Sequence, residues 1–145
     1  MTDFMGKYSH RVDAKGRVAL PPKFGKQLSS SLIVTLNPEG TCLFVFEPED
    51  FNEWVKRFFE KDGGFQQSNA RHVKTRSILK GRARTVETDS AGRINIAADQ
   101  RERVGIGSDA MFIGNDGYIE IWNPEAREAF ESEIDLASLL YDFAE

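Results

Sequence analysis

Apolar and polar positions alternate loosely over residues 4–13, with Tyr8, His10 and Val12 on one side and Lys7, Ser9 and Arg11 on the other, which predicts a strand. The turn Asp13-Ala14-Lys15-Gly16 follows. Aspartate at its first position can accept a backbone N–H two residues on, and Gly16 can take the positive φ that closes a type I turn with a bulge. Arg17-Val18-Ala19-Leu20 is then a short strand, stopped by Pro21-Pro22, which suits the first turn of a short helix over residues 23–28. Gly25 weakens that helix by about 1 kcal/mol relative to alanine. Residues 32–36 and 42–46 are strands around the turn Asn37-Pro38-Glu39-Gly40, and the second of them is apolar on both faces, so it is expected to be buried on both. From Pro48 the period becomes helical: Phe51, Trp54, Val55, Phe58 and Phe59 fall at i, i+3, i+4, i+7 and i+8. Asp62-Gly63-Gly64 ends that helix. Residues 66–80 predict another, with a thin apolar stripe and Gly81 as its stop.

From residue 82 the order recurs. A strand over 82–88, a turn over 89–92, a strand over 93–96 and a short helix over 97–104 lead to a strand over 110–113. Asn115-Asp116-Gly117 is a hairpin turn, and Tyr118-Ile119-Glu120-Ile121-Trp122 alternates, which predicts one wetter face. Asn123 is a favoured N-cap with Pro124 after it, and Ala126, Ala129, Phe130 and Ile134 supply the helix's inner stripe. Leu136, Leu139, Leu140 and Phe143 suit a last short helix, docked loosely. The recurrence is literal at two places. Asp13-x-x-Gly16-Arg17 and Asp89-x-x-Gly92-Arg93 stand 76 residues apart, as do Pro48-Glu49 and Pro124-Glu125. Equal offsets at two separated motifs define two related β-β-α-β-β-α halves. The organisation is a first repeat over 6–62, a basic linking helix over 63–81, a second repeat over 82–134 and a helical tail over 135–145.

At 145 residues, 40% apolar and with eleven Phe, the chain can bury one core shared by two halves. No apolar run approaches the ~18 residues of a membrane span, so no membrane partner is expected. The amino-terminal residues lack a secretory pattern, and Cys42 is the single cysteine, which suits a reducing cytoplasm. In its apolar run Cys42 is a buried structural thiol rather than a nucleophile. His10, His72 and Cys42 show no metal-ligand spacing, and there is no phosphate loop or nucleophile elbow. Neither an enzyme nor a metal or cofactor is expected.

The net charge of −4 conceals blocks of opposite sign. Residues 1–38 carry +4, 39–62 carry −4, 63–84 carry +6 and 85–145 carry −10. A chain so arranged can present a basic face despite its acidic total.

Two copies of Asp-x-x-Gly-Arg in β-β-α-β-β-α units, a Gly6-Lys7-Tyr8 opening and Pro21-Pro22 after the first copy resemble the MraZ family, whose members are built from two AbrB-like (SpoVT/AbrB) repeats. The likeness runs from about Gly6 to Ile134 and takes in the basic helix around Arg71–Gly81. It implies a mainly β fold with short helices, in which intertwined hairpins from two tandem repeats close one small AbrB-like barrel with pseudo-two-fold symmetry. It also implies a cytoplasmic, nucleoid-associated transcriptional regulator. Such proteins form closed ring homo-oligomers and bind short direct repeats in the double-stranded promoter DNA of a division and cell-wall gene cluster. The chain departs from the family pattern at Ala97-Ala98-Asp99-Gln100, where a proline-containing start is common.

By that resemblance the DNA-contacting position is Arg17, with Lys15 beside it. Arg11 and Lys7 join them from their shared face on the preceding strand. A guanidinium on a rigid turn can pair with guanine O6/N7 in two hydrogen bonds, and lysine serves as a mobile phosphate partner. Arg17 also has an intramolecular alternative, a pair with Asp13 across the turn. Asp13, Gly16, Asp89, Gly92 and Arg93 are turn-forming, and Arg93, without a lysine in its turn, is assigned to structure. For Arg71, Lys74, Arg76, Lys80, Arg82 and Arg84 two readings stand: phosphate contact, or pairing with acidic groups of the second half or of a neighbouring subunit. The alternative to DNA reading is an oligomeric interaction module of the AbrB-like antitoxin type.

Overall fold

A computed structural model describes residues 2–144; Met1 and Glu145, at the ends of the predicted first segment and tail, lie outside the described residues. The elements run β1 (Lys7–Arg11), β2 (Arg17–Ala19), α1 (Pro22–Gly25), β3 (Ser31–Leu36), β4 (Leu43–Phe46), α2 (Pro48–Arg57), α3 (Ala70–Arg82), β5 (Arg84–Glu87), β6 (Arg93–Asn95), α4 (Ala98–Val104), β7 (Asp109–Gly114), β8 (Ile119–Trp122), α5 (Pro124–Ser132) and α6 (Leu136–Ala144). The fold is mainly sheet with short helices, in two repeats.

Neither Asp-x-x-Gly-Arg turn folds its flanking strands into a hairpin. β1 pairs antiparallel with β7 of the other repeat, Tyr8 opposite Phe112, and β5 pairs in the same way with β3. β2 and β6 pair with each other, Val18 opposite Ile94. Between β1 and β2 there remain one bridge, Val12 to Val18, and the Asp13 N–H bond to the Arg17 carbonyl. The large sheet therefore reads β1-β7-β8-β4-β3-β5, a palindrome in repeat positions. Each repeat lends an edge strand to the other, so neither can form its sheet alone.

The hydrogen bonding does not run round as a closed barrel. β1 and β5 are the two edges of the six-stranded sheet, and β2–β6 is a separate two-stranded ribbon. Three-residue strands that pair with each other have too few peptide groups left to join both edges.

Strand β4 is buried on both faces. Leu43 and Val45 face the main core with Val18, Phe24, Leu32, Ile94 and Phe112. Phe44 and Phe46 face a second cluster with Cys42, Phe51, Val55, Phe59 and Trp122 under α2. The helix α2 follows its apolar template except at Phe58, which is 47% exposed at the far edge of the stripe.

Five expectations need correction. Gly81 does not stop α3, which is capped by the Asn69 side chain at its start and continues to Arg82 before the chain turns extended at Ala83. The short helix expected over 23–28 is one turn, ending at Gly25. The wetter face of β8 is covered: Glu120 is 12% exposed because Arg127 of α5 lies over it. That same packing turns the expected inner stripe of α5 outward, leaving Ala126, Ala129 and Phe130 exposed. The tail helix does not dock at all. Leu136, Leu140 and Phe143 are exposed, Phe143 by 82%.

Candidate nucleic-acid interface

The two turns are the same object made twice. Asp13 Oδ1 accepts the N–H groups of Lys15 and Arg17 at 3.0 and 2.9 Å, and Asp13 Oδ2 accepts Arg17 Nε at 2.7 Å. Asp89 Oδ1 accepts Ala91 and Arg93, both at 2.9 Å, and its Oδ2 accepts Arg93 Nε at 2.8 Å. Gly16 and Gly92 carry φ of +87° and +75°, the left-handed conformation the bulge demands. These bonds hold both aspartates below the ordinary carboxylate range, the N–H of the following arginine contributing most and its guanidinium further. The ion pair that competes with a DNA role for Arg17 is thus present, and equally for Arg93. It uses Nε only. Among the described residues neither Arg17 Nη atom has an acceptor, so the aspartate orients the fork without filling it.

The ribbon places both arginines on one outer face. Val18 and Ile94 point inward at 1% exposure each, so Arg17, Ala19, Arg93 and Asn95 point outward by strand alternation. Arg17 stands opposite Asn95, and Arg93 opposite Ala19. The arginines themselves are diagonal neighbours across the ribbon, within reach of each other's long side chains. Symmetric main-chain bonds extend the ribbon, Leu20 N–H to Gly92 O and Ile96 N–H to Gly16 O.

The surroundings break this symmetry. Lys15 in the first turn corresponds to Ala91 in the second, and Asn95 beside Arg17 corresponds to Ala19 beside Arg93. A third difference was hidden from sequence reasoning. Arg101 of α4 reaches the first turn and donates from Nε to Ile96 O at 3.0 Å, while its counterpart 76 residues earlier is Gly25. Chain order places Arg101 inside the −10 half; α4 carries it across. The only sequence signal was the 76-residue offset, which pairs an arginine with a glycine at these two positions.

Lys15 extends into solvent from its turn. Of the other predicted residues on β1, Arg11 is open to solvent, 3.8 Å from Asp109 across the strand pair, and Lys7, at the opposite end, is half-exposed and meets Glu131 at 2.7 Å. Arg11 is therefore at the turn's end of β1, and Lys7 is beside α5. The basic segment is partly consumed within the chain. Arg84 pairs with Asp99 of the second repeat, Arg82 donates to Asn37 O, Lys80 to Asn52, and Arg76 lies 3.4 Å above the Phe65 ring.

His10 on β1 lies edge-on to Phe112 of the main core. His72 is buried between Phe59 and Phe65, its Nδ1 accepting from the Gln66 N–H and its Nε2 donating to Asp62. Cys42 is buried, and burial first, then the negative charge of Glu120, pushes its thiol far up. No helix among the described residues is long and apolar enough to cross a membrane.

Fold and ribbon together define a class: a single chain acting as its own pseudo-dimer, two β-β-α-β-β-α repeats that exchange strands and present paired arginine turns. The chain belongs to the MraZ family. The family model described as "MraZ protein, putative antitoxin-like" matches residues 4–76 and 79–144. The transcriptional regulator MraZ of Lachnoclostridium phytofermentans is 36% identical over 126 residues, spanning 87% of this chain and 85% of that protein. Transcriptional regulators MraZ of Thermoanaerobacter sp. strain X514 and of Ligilactobacillus salivarius are 36% and 32% identical, spanning 92% and 97% of this chain.

Proposed function

We propose that this chain is a DNA-binding transcriptional regulator whose first turn reads double-stranded DNA. The observation that carries the reading is the Arg17 guanidinium, oriented by Asp13 through Nε with both Nη atoms unclaimed on the outer ribbon face. A fork fixed before binding loses little freedom on contact and can address guanine in two hydrogen bonds. Lys15 supplies a phosphate partner at the turn, and Asn95, opposite Arg17, is a residue type suited to adenine. Arg11 serves the same face from the end of β1. Lys7 contributes only by exchanging its exposed pair with Glu131, which costs little. Arg93 remains structural, in a turn without lysine and opposite an alanine.

The relatives named as transcriptional regulators support this class. The finer reading is a cytoplasmic, nucleoid-associated ring of copies, each engaging one short direct repeat in the promoter of a division and cell-wall gene cluster. Ring assembly would raise the effective concentration of individually weak contacts. The exposed apolar side chains of α6 favour assembly. They also favour the second reading, an antitoxin-type module whose tail helix grips a different protein.

The test is affinity for the duplex upstream of the chain's own coding sequence, titrated against salt, for the wild type and Arg17→Ala. Loss of about 1–3 kcal/mol of discrimination on Arg17→Ala is expected. Affinity indifferent to both salt and Arg17 would sink the reading, and a single stoichiometric protein partner in its place would install the second one.

A further inference from the structure

Arg101 is built into the first turn more tightly than a surface arginine needs to be. Its Nε donates to Ile96 O at 3.0 Å, and the Ile96 N–H bonds back to Gly16 O at 2.9 Å. The guanidinium lies directly on the Gly16 peptide: a Cβ on Gly16 would stand 2.6 Å from Arg101 Nε and 2.8 Å from its Cζ. Gly16 is therefore required twice over, once for its φ and once for this approach. The Arg101 side chain is half-buried and, among the described residues, meets no carboxylate. Its charge is left uncompensated next to Lys15 and Arg17.

The second turn shows what the site is without this residue. Around Gly92 no atom lies within 4 Å of the place a Cβ would take. A hollow of about 480 Å³ opens there instead, lined by Leu20, Gly25, Lys26, Leu28, Ala91 and Gly92. The symmetry that relates the turns thus sets a guanidinium bonded to the main chain on one, and on the other an open hollow with Lys26 in its wall and no side chain over Gly92.

We propose that Arg101 is a phosphate-contacting residue of the DNA surface, so that the turn of the first repeat is completed by an arginine of the second. This rests on the DNA-binding reading above. An arginine held by Nε to a carbonyl keeps its Nη edge for an anion, and phosphate contacts set position and affinity, whereas base contacts specify. The same carbonyl anchor that fixes Arg101 also fixes its distance from Arg17, so the two act at one register on the duplex.

The experiment titrates two duplexes against salt, the chain's own upstream region and a random sequence, with wild type, Arg101→Gln, Arg101→Lys and Arg17→Ala. Arg101→Gln is expected to weaken both duplexes alike, by about tenfold at moderate salt, and to lower the slope of log affinity against log salt by about 1. Arg101→Lys is expected to keep the wild-type slope, and Arg17→Ala to lose preference for the upstream duplex. An unchanged slope in Arg101→Gln overturns the proposal, even where affinity falls, because that result marks Arg101 as a prop of the turn alone. Should Arg101→Gln fail to fold, dicarbonyl modification of wild-type Arg101, read by mass spectrometry, decides: protection by random duplex is expected, and modification indifferent to DNA overturns it. A wild type that binds neither duplex defeats the DNA reading itself. Binding that depends on Arg17 but not on the Arg101 charge defeats this inference only.

Discussion

Val18 and Ile94, the same position in the two repeats, face each other directly across the β2–β6 ribbon. Phe44 and Glu120, again 76 residues apart, face each other across β4 and β8. A pseudo-two-fold axis passes through both pairs, and the sequence offset is its operator. Val18 and Ile94 have both stayed apolar and buried, whereas Phe44 and Glu120 have diverged on the axis itself, Glu120 being paired with Arg127. Off the axis, the divergence between the two turns gathers at the first.

That divergence separates the two turn glycines. Gly92→Ala meets no neighbour and is expected to cost only its left-handed backbone, about 1–2 kcal/mol. Gly16→Ala adds collisions with Arg101 and the Ile96 carbonyl, and should cost about twice as much or more. Urea unfolding of the two variants makes the comparison; equal costs would contradict the packing of Arg101 on Gly16.

The turn aspartates make stability depend on acid. Hydrogen bonds from Arg17 and Arg93 lower the folded-state values of Asp13 and Asp89 below their unfolded ones. A depressed carboxylate contributes fully above its unfolded value, about 3.9, and loses that contribution as pH falls through the folded value. A variant carrying Asp13→Asn and Asp89→Asn should therefore show a flatter decline of melting temperature below about pH 4 than the wild type.

Arg127 is the cation that closes the second core. It bonds Glu120 Oε1 at 3.2 Å and Glu131 at 2.7 Å, and its guanidinium lies 5.2 Å from the Trp122 ring centre. Arg127→Ala should cost about 2–3 kcal/mol, since Glu120 would be left charged and largely covered. Adding Glu120→Gln should recover part of that loss in a double-mutant cycle; strictly additive costs would deny the coupling.

Cys42 should be silent in the native protein. Burial and the nearby Glu120 keep the thiol protonated, so a disulfide reagent is expected to label it only at the rate of global unfolding. Fast labelling under native conditions would mean that the second core opens locally.

Ending the chain after Ile134 should leave the melting temperature of the monomeric fold within about 1–2 °C, because α6 buries none of its side chains. A larger drop would show that α6 is packed in solution, against its own chain or another copy.

Much of this molecule is readable before it is folded. Residues 13–17 and 89–93 declare their turns through the hydrogen-bonding reach of aspartate and the positive φ of glycine, both local properties. The both-sided burial of β4 and the start of α5 at Asn123-Pro124 are likewise local. So are the two-repeat organisation and the membership of Arg17 and Lys15 in one exposed turn. What short-range pattern could not supply is partner choice. Periodicity says that β1 and β2 are strands around a turn, but not that each will pair with the other repeat. It marks Ala129 and Phe130 as an inner stripe, yet the aromatic face of Trp122 and the charge of Glu120 draw Arg127 inward instead. It places Arg101 in an acidic half, and only the exchange of strands, with Ile96 bonded to Gly16, brings that side chain onto the first turn. Turns and periods are set by neighbours in the chain. The pairing of strands, and with it the unequal surroundings of two identical turns, is set by which surfaces are buried together, and that is decided only when the whole chain has folded.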